Sequence, residues 1–393
     1  MLSILPYHEI TTNYFRQQSD IWQYFSNQNY KKEQLQSFKT NLLKNTYKFS
    51  EETEVELYQK VQLTKEKLGL KMAVTMYQAE YTDELNAGVV CLENEVHMVF
   101  SGKILQQLSD EEILAVIAHE LSHVYLYNQI DGNVEITDRI IGAIASNQGS
   151  TAAHYETARL FKLYTEIFCD RGAYYVTGNY APIISSLVKM ATGLQSVNAE
   201  SYIKQAEEVF TTEANTKTTG VSHPENFIRA RALWLWHNKK PDAESDIRQM
   251  IEGNCSIDEI DLFKQQQISS ITHAIIALLV KPQWMHTPPV AALCKQYFPE
   301  MELNSGQPDN DLLKQVEELH TTLQDYLAYV LYDFSTVDKD LEDVPLGYSF
   351  FLADELKLDK AFATAVKKEK KITDKKIALL KKQSIAEYQK QSK

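Results

Sequence analysis

The chain has 393 residues, room for two or three domains and at least one sizeable core. Its 44% hydrophobic and 24% charged residues are ordinary for a globular protein. A net charge of −13 excludes a general nucleic-acid binder, which needs a basic face to neutralise phosphates.

The opening MLSILPYHEITTNYF has no basic n-region or adequate apolar h-region, and Pro6 interrupts it, so it does not read as a secretory signal. The most apolar runs, 140–145 and 271–280, fall far short of the roughly 20 residues a helix needs to cross a bilayer. Cys91, Cys169, Cys255 and Cys294 are scattered, with no metal-ligand or disulfide-framework spacing. These features predict a chain without a transmembrane segment, in a reducing, cytoplasmic setting.

Residues 1–70 form a first region, polar, nearly free of Gly and Pro from residue 10 onward and helical in pattern. From residue 71 the pattern changes. KMAVTMYQ (71–78) and AGVVCLENEVHMVF (87–100) are rich in Val, Met and aromatics, and Glu93-Asn94 breaks the second as a hairpin turn would. This is the one β region that the sequence predicts.

SDEEILAVIAHELSHVYLYNQ follows, from residue 109. Ser109 with Glu112 is a capping box, and Ile113, Val116, Ile117, Leu121 and Val124 make an apolar stripe at helical spacing. The helix should end near Asp131-Gly132. A second long helix should run from Ser150 or Thr151 to a Gly178 stop. Between them, 128–150 reads either as a flap with Gly132, Gly142 and Gly149 or as an ordinary connection. Beyond Pro241 the chain reads as helices and ends in a lysine-rich stretch, most often a solvated helix.

Within AHELSH, His119 and His123 stand at i and i+4, so both imidazoles can reach one ion, while Glu120 lies about 100° round the helix, placed for a base acting on water. With ten histidines, an H-E-x-x-H arises by chance in roughly one to two chains of this kind per hundred, so the pattern alone is only suggestive. A catalytic zinc needs a third protein ligand. Glu166 lies 43 residues beyond His123 on the second long helix, and Asp170 follows one turn later on the same face. Glu166 reads as a ligand or a solvated carboxylate, and Asp170 as the acceptor of a ligand histidine's Nδ1–H or as a partner of Arg171.

SDEEILAVIAHELSH (109–123), with EIFCDRGA (166–173) and SHPENFIRARAL (222–233), resembles the HtpX / CAAX prenyl protease family of zinc metallopeptidases, as does LNAGVV (85–90). The resemblance spans about 70–236. It implies a gluzincin, a zinc metalloendopeptidase with one zinc ion held by His119, His123 and Glu166 and with Glu120 as general base on the zinc-bound water. It further implies that Asp170 orients a ligand histidine, that His223 stabilises the oxyanion, that Asn86 contacts substrate and that Arg229 is a structural support. His223 also reads as a loop residue fixed by Pro224, and Asn86 as a turn residue. Cys169 departs from the family's usual alanine. The absence of a membrane span departs from its membrane-embedded members, so the chain resembles a soluble branch and prenylated substrates are not carried over.

The expected architecture is therefore α+β and predominantly helical: a zincin-like core with a small sheet at 71–238, flanked by helical regions at 1–70 and 239–393. The expected partner is a protein or peptide substrate, with no nucleic acid. The C-terminal region faintly resembles the tellurite-resistance B-type helical domain over 310–393 and offers a surface for a regulatory partner. Asp333, Asp338 and Asp340 there read as solvated helix ends rather than as a cation loop, for want of an EF-hand glycine. An alternative function is a catalytically silent zinc-fold module acting through its C-terminal helices. The intact Glu120 argues against it.

Overall fold

A computed structural model describes residues 2–27, 38–92, 95–239, 242–303 and 311–391; Glu93, Asn94 and Pro241 lie outside them. The fold is α+β and predominantly helical, with one four-stranded mixed sheet. It divides into two compact units, 1–254 and 255–393.

In the first unit, helix α1 (Pro6–Gln17) is followed by strand β1 (Thr46–Lys48), helix α2 (Val55–Leu68) and strands β2 (Ala73–Ala79), β3 (Asn86–Leu92) and β4 (Glu95–Ser101). The sheet order is β1-β2-β4-β3, with β2 parallel to β4 and the other pairs antiparallel. The expected hairpin is β3–β4, its register closing on Leu92 opposite Glu95. β1 corrects the all-helical reading of the first 70 residues. Its three residues directly follow a helical turn and carry no alternating pattern, so pairing with β2 alone makes them a strand.

Period-two alternation in β4 buries Val96, Met98 and Phe100 on one face. That face packs on helix α3 (Asp110–Tyr127), against Ile117, Leu121 and Val124. The capping box at the start of α3 is present in both directions, Ser109 to the Glu112 N–H and the Glu112 carboxylate to the Ser109 N–H. Residues 128–150 are not an open loop. They hold helix α4 (Asn133–Ser146), which buries Val134, Ile140 and Ile141 and packs on α1.

Helix α5 (Ala152–Thr177) is capped by the Thr151 side chain and stopped by Gly178 in the left-handed region, close to the expected limits. It lies against α3. Gly172 makes the close approach possible, because a Cβ there would stand 2.6 Å from Ser122 Cβ on α3. Gly172→Ala therefore should cost about 1–3 kcal/mol in urea unfolding, and adding Ser122→Gly should recover part of it. Helices α6 (Ala181–Thr192), α7 (Ala199–Thr212), α8 (Asn226–His237) and α9 (Ala243–Glu252) complete this unit. α9 packs on α5 and α8, so the first unit continues past residue 238.

The second unit is helical among its described residues. Helices α10 (Leu262–Leu279), α11 (Thr321–Thr336), α12 (Val344–Glu355) and α13 (Asp359–Lys370) enclose Leu331, Phe334, Phe350 and Phe362. The lysine-rich helix α14 (Asp374–Gln391) packs Ile377, Leu380 and Ile385 on that core and leaves Lys375, Lys376, Lys382 and Lys390 exposed. Asp333 accepts from Tyr297 Oη at 2.6 Å, and Asp338 caps the Asp340 N–H at 3.0 Å. No described helix is long and apolar enough to cross a membrane.

Candidate metal centre and active site

Four helices and one strand converge on a single cleft of about 290 Å³. α3 contributes His119, Glu120 and His123, and α5 contributes Glu166 and Asp170. Arg229 comes from α8, His223 from the turn before it and Asn86 from the start of β3. All eight residues singled out in the sequence thus line the same wall.

The distances sort them. His119 Nε2 lies 3.4 Å from Glu166 Oε2, and His123 Nε2 lies 3.7 Å from Glu166 Oε1. These separations are long for hydrogen bonds. They are close to the roughly 3.4 Å between ligand atoms on one tetrahedral ion with bonds near 2.0–2.1 Å, each histidine facing a different Glu166 oxygen. The other nitrogen of His119, Nδ1, is 3.0 Å from Asp170 Oδ1, which fixes the ring and leaves Nε2 facing the cleft. The donor set fits zinc.

Arg229 is the counter-charge for both carboxylates. Its guanidinium forks onto Asp170, Nε to Oδ2 at 2.8 Å and Nη2 to Oδ1 at 2.6 Å, and Nη1 reaches Glu166 Oε2 at 3.3 Å. Arg229, Glu166 and Asp170 are all buried. Burial pushes the Glu166 carboxyl up, but Arg229 and the neighbouring His119 overcome it and hold the group well below the usual carboxylate range. Burial opposes the charge on His119 as well, yet the Asp170 and Glu166 carboxylates beside it raise the imidazole to about 10. His123, chiefly through burial, drops to about 4. Burial also lifts Glu120 to about 7.

Cys169 complicates the donor count. Ligand atoms of His119, His123 and Cys169 lie within 4.8 Å of one another, and among the described residues no other such group of His, Cys, Asp and Glu occurs. Placement separates the two candidate third donors. The Cys169 thiol is fully buried, and burial with the Glu166, Glu120 and Asp170 charges pushes it well above its ordinary value. Glu166 lines the cleft beside both histidines, and Cys169 is not among the cleft's lining residues. Asp333, Asp338 and Asp340 form no such group.

His223 keeps 62% of its side chain exposed and points Nε2 to within 3.6 Å of Glu166 Oε1. Its Nδ1 pairs with the Ser222 hydroxyl at 2.9 Å. A hydroxyl donating there leaves Nε2 as the protonated nitrogen. Gly220 permits this turn, since a Cβ at 220 would run into the His223 carbonyl. Asn86 opens the edge strand β3, which pairs only with β4 among the described residues, so its outer backbone edge faces the cleft.

Sequence reasoning missed one part of the cleft, the α6 side chains Ile183, Ser186, Leu187 and Met190. They recur at i, i+3, i+4 and i+7, which reads as an ordinary core stripe. The available signal was Lys189, a lone cation within the apolar run IISSLVKM. It is buried, and its Nζ pairs with Glu112 Oε2 at 2.9 Å.

The profile of peptidase family M48 matches residues 51–236, beginning after β1, just ahead of α2, and ending within α8. No curated protein and no solved structure matches the chain. The matched segment contains every residue of the cleft named above, and the family is one of metallopeptidases. Over residues 51–236 the match supports peptidase family M48.

Proposed function

We propose that the protein is a zinc-dependent metalloendopeptidase in which His119, His123 and Glu166 hold one zinc ion and Glu120 is the general base. The observation that carries this reading is the convergence of two imidazole nitrogens on one ionised carboxylate at 3.4 and 3.7 Å, with Glu120 in the same cleft. When bound, zinc supplies Lewis acidity to the scissile carbonyl and makes water acidic enough to attack near neutral pH.

The protein's own groups do the rest. Glu120 takes a proton from the attacking water and delivers it to the departing amine nitrogen as the C–N bond breaks. Its raised proton affinity suits both halves of that transfer. His223 donates from Nε2 to the oxygen that becomes negative as the carbonyl carbon turns tetrahedral. Asp170 holds the His119 ring by Nδ1, and Arg229 keeps Asp170 and Glu166 ionised. A substrate peptide adds to the free edge of β3 beside Asn86, so that backbone hydrogen bonds align it irrespective of sequence. The four cysteines are held as thiols rather than disulfides, which suits the reducing, cytoplasmic setting we assign.

The test is metal removal. Protein purified with one zinc per chain should cleave unfolded casein, lose that activity on dialysis against a chelator and regain it with stoichiometric zinc. Metal-free protein that cleaves at the same rate would overturn the metal role. Zinc-loaded protein that cleaves neither casein nor other unfolded chains would overturn the protease reading.

A further inference from the structure

One side of the cleft takes no part in the chemistry above. It is apolar, built from Ala115 and Val116, one turn before His119 on α3, and from Ile183, Leu187 and Met190 on α6. Ser186 lies on the same α6 face but does not make it polar, because its hydroxyl donates to the Ile183 carbonyl at 2.8 Å.

The wall is held in place from behind. Ser185 and Lys189, both buried on the adjoining face of α6, bind the Glu112 carboxylate in the first turn of α3. Asn226 Nδ2, at the start of α8, donates to the Leu187 carbonyl at 3.2 Å. Helix α3 therefore anchors the wall at one end, through Glu112, and carries His119 and Glu120 further along. Its distance from the reacting bond is fixed by a rigid element rather than by a loop.

A peptide extended along β3 alternates its side chains, so one of the two residues flanking the scissile bond must turn toward α3 and α6. A charged side chain there would lose water and gain no partner. The buried ions at the centre, Glu166, Asp170 and Arg229, are already paired with one another. An alanine or glycine would leave the wall uncovered.

We propose that this wall makes the enzyme selective for an aliphatic or methionine side chain next to the scissile bond, with Leu187 and Met190 setting the depth of its pocket. The substrates are then extended or unfolded chains that expose residues normally kept in a core. This proposal rests on the protease reading and names its substrate class.

Two measurements on the full-length protein test it. Denatured casein is digested with wild type, Leu187→Ala and Met190→Arg, and the new termini are sequenced. Wild type should enrich Leu, Ile, Val and Met about tenfold over Ala and Ser at one position flanking the cut, the scale of discrimination a hydrophobic pocket gives. Leu187→Ala should move the preference toward Phe and Trp, and Met190→Arg toward Asp and Glu. An unbiased wild-type profile, or one profile shared by all three proteins, would overturn the proposal. Binding needs no turnover, so fluorescein-labelled peptides differing only in a central Leu, Ala or Asp are also titrated onto zinc-loaded Glu120→Gln. The Leu peptide should bind about tenfold tighter, and equal binding of the three would overturn the pocket. A wild type that cuts nothing while Glu120→Gln prefers Leu would refute the protease reading and leave the pocket standing.

Discussion

Glu120→Gln should lower kcat/KM on casein by at least about 10³-fold, within the range a positioned general base supplies, while bound zinc stays at the wild-type level. Glutamine keeps the shape of the side chain but cannot take up the water proton. Glu120 is not among the proposed ligands, so metal content separates loss of the base from loss of the site. The pH profile gives a second readout. The base must be ionised, so activity falls as pH drops through the Glu120 pKa. Burial sets that value at about 7 in the metal-free protein, and a bound cation stabilises the carboxylate, so the acidic limb should lie below 7. Equal rates for wild type and variant would remove Glu120 from the mechanism.

Arg229→Ala should destabilise the fold by about 3–5 kcal/mol, as expected when one partner of a buried ion network is removed. The guanidinium contacts Asp170 twice and Glu166 once, and all three side chains are 7% exposed or less. Without it, two buried carboxylates repel each other beside His119. The protein can relieve that strain by protonating one of them, which weakens either the Glu166 donor or the Asp170 hold on the His119 ring. Zinc affinity should fall together with stability. Arg229→Lys, which keeps the charge but loses the fork, should recover part of the stability and less of the zinc affinity. Chemical denaturation and a zinc competition titration read the two effects. A stable, fully zinc-competent Arg229→Ala would show that Asp170 and Glu166 need no counter-charge.

Features carried by local rules were legible in the sequence. The capping box at Ser109 and Glu112, the stripe from Ile113 to Val124 and the Gly178 stop each depend on residues within a turn or two of one another. The β3–β4 hairpin was legible for the same reason, while β1 was not, because a three-residue strand is defined by its partner. For the site, the helix period put His119 and His123 on one face and Glu166 and Asp170 on another. Nothing local required those two faces to meet.

The sequence by itself determined which side chains are available for chemistry and which helices present them: two imidazoles and a carboxylate on α3, and two carboxylates on α5. Only the tertiary structure decided how they combine. The close crossing at Gly172 and Ser122 sets Glu166 within 3.7 Å of both histidine nitrogens. It also shows Arg229 to be the shared counter-ion of Asp170 and Glu166, and Glu112 to be both a helix cap and the anchor of the α6 wall. The physical reason is one of range. Helix periodicity and capping act over a few residues, whereas the spacing of donors and the pairing of buried charges are fixed by how helices far apart in the chain pack against one another.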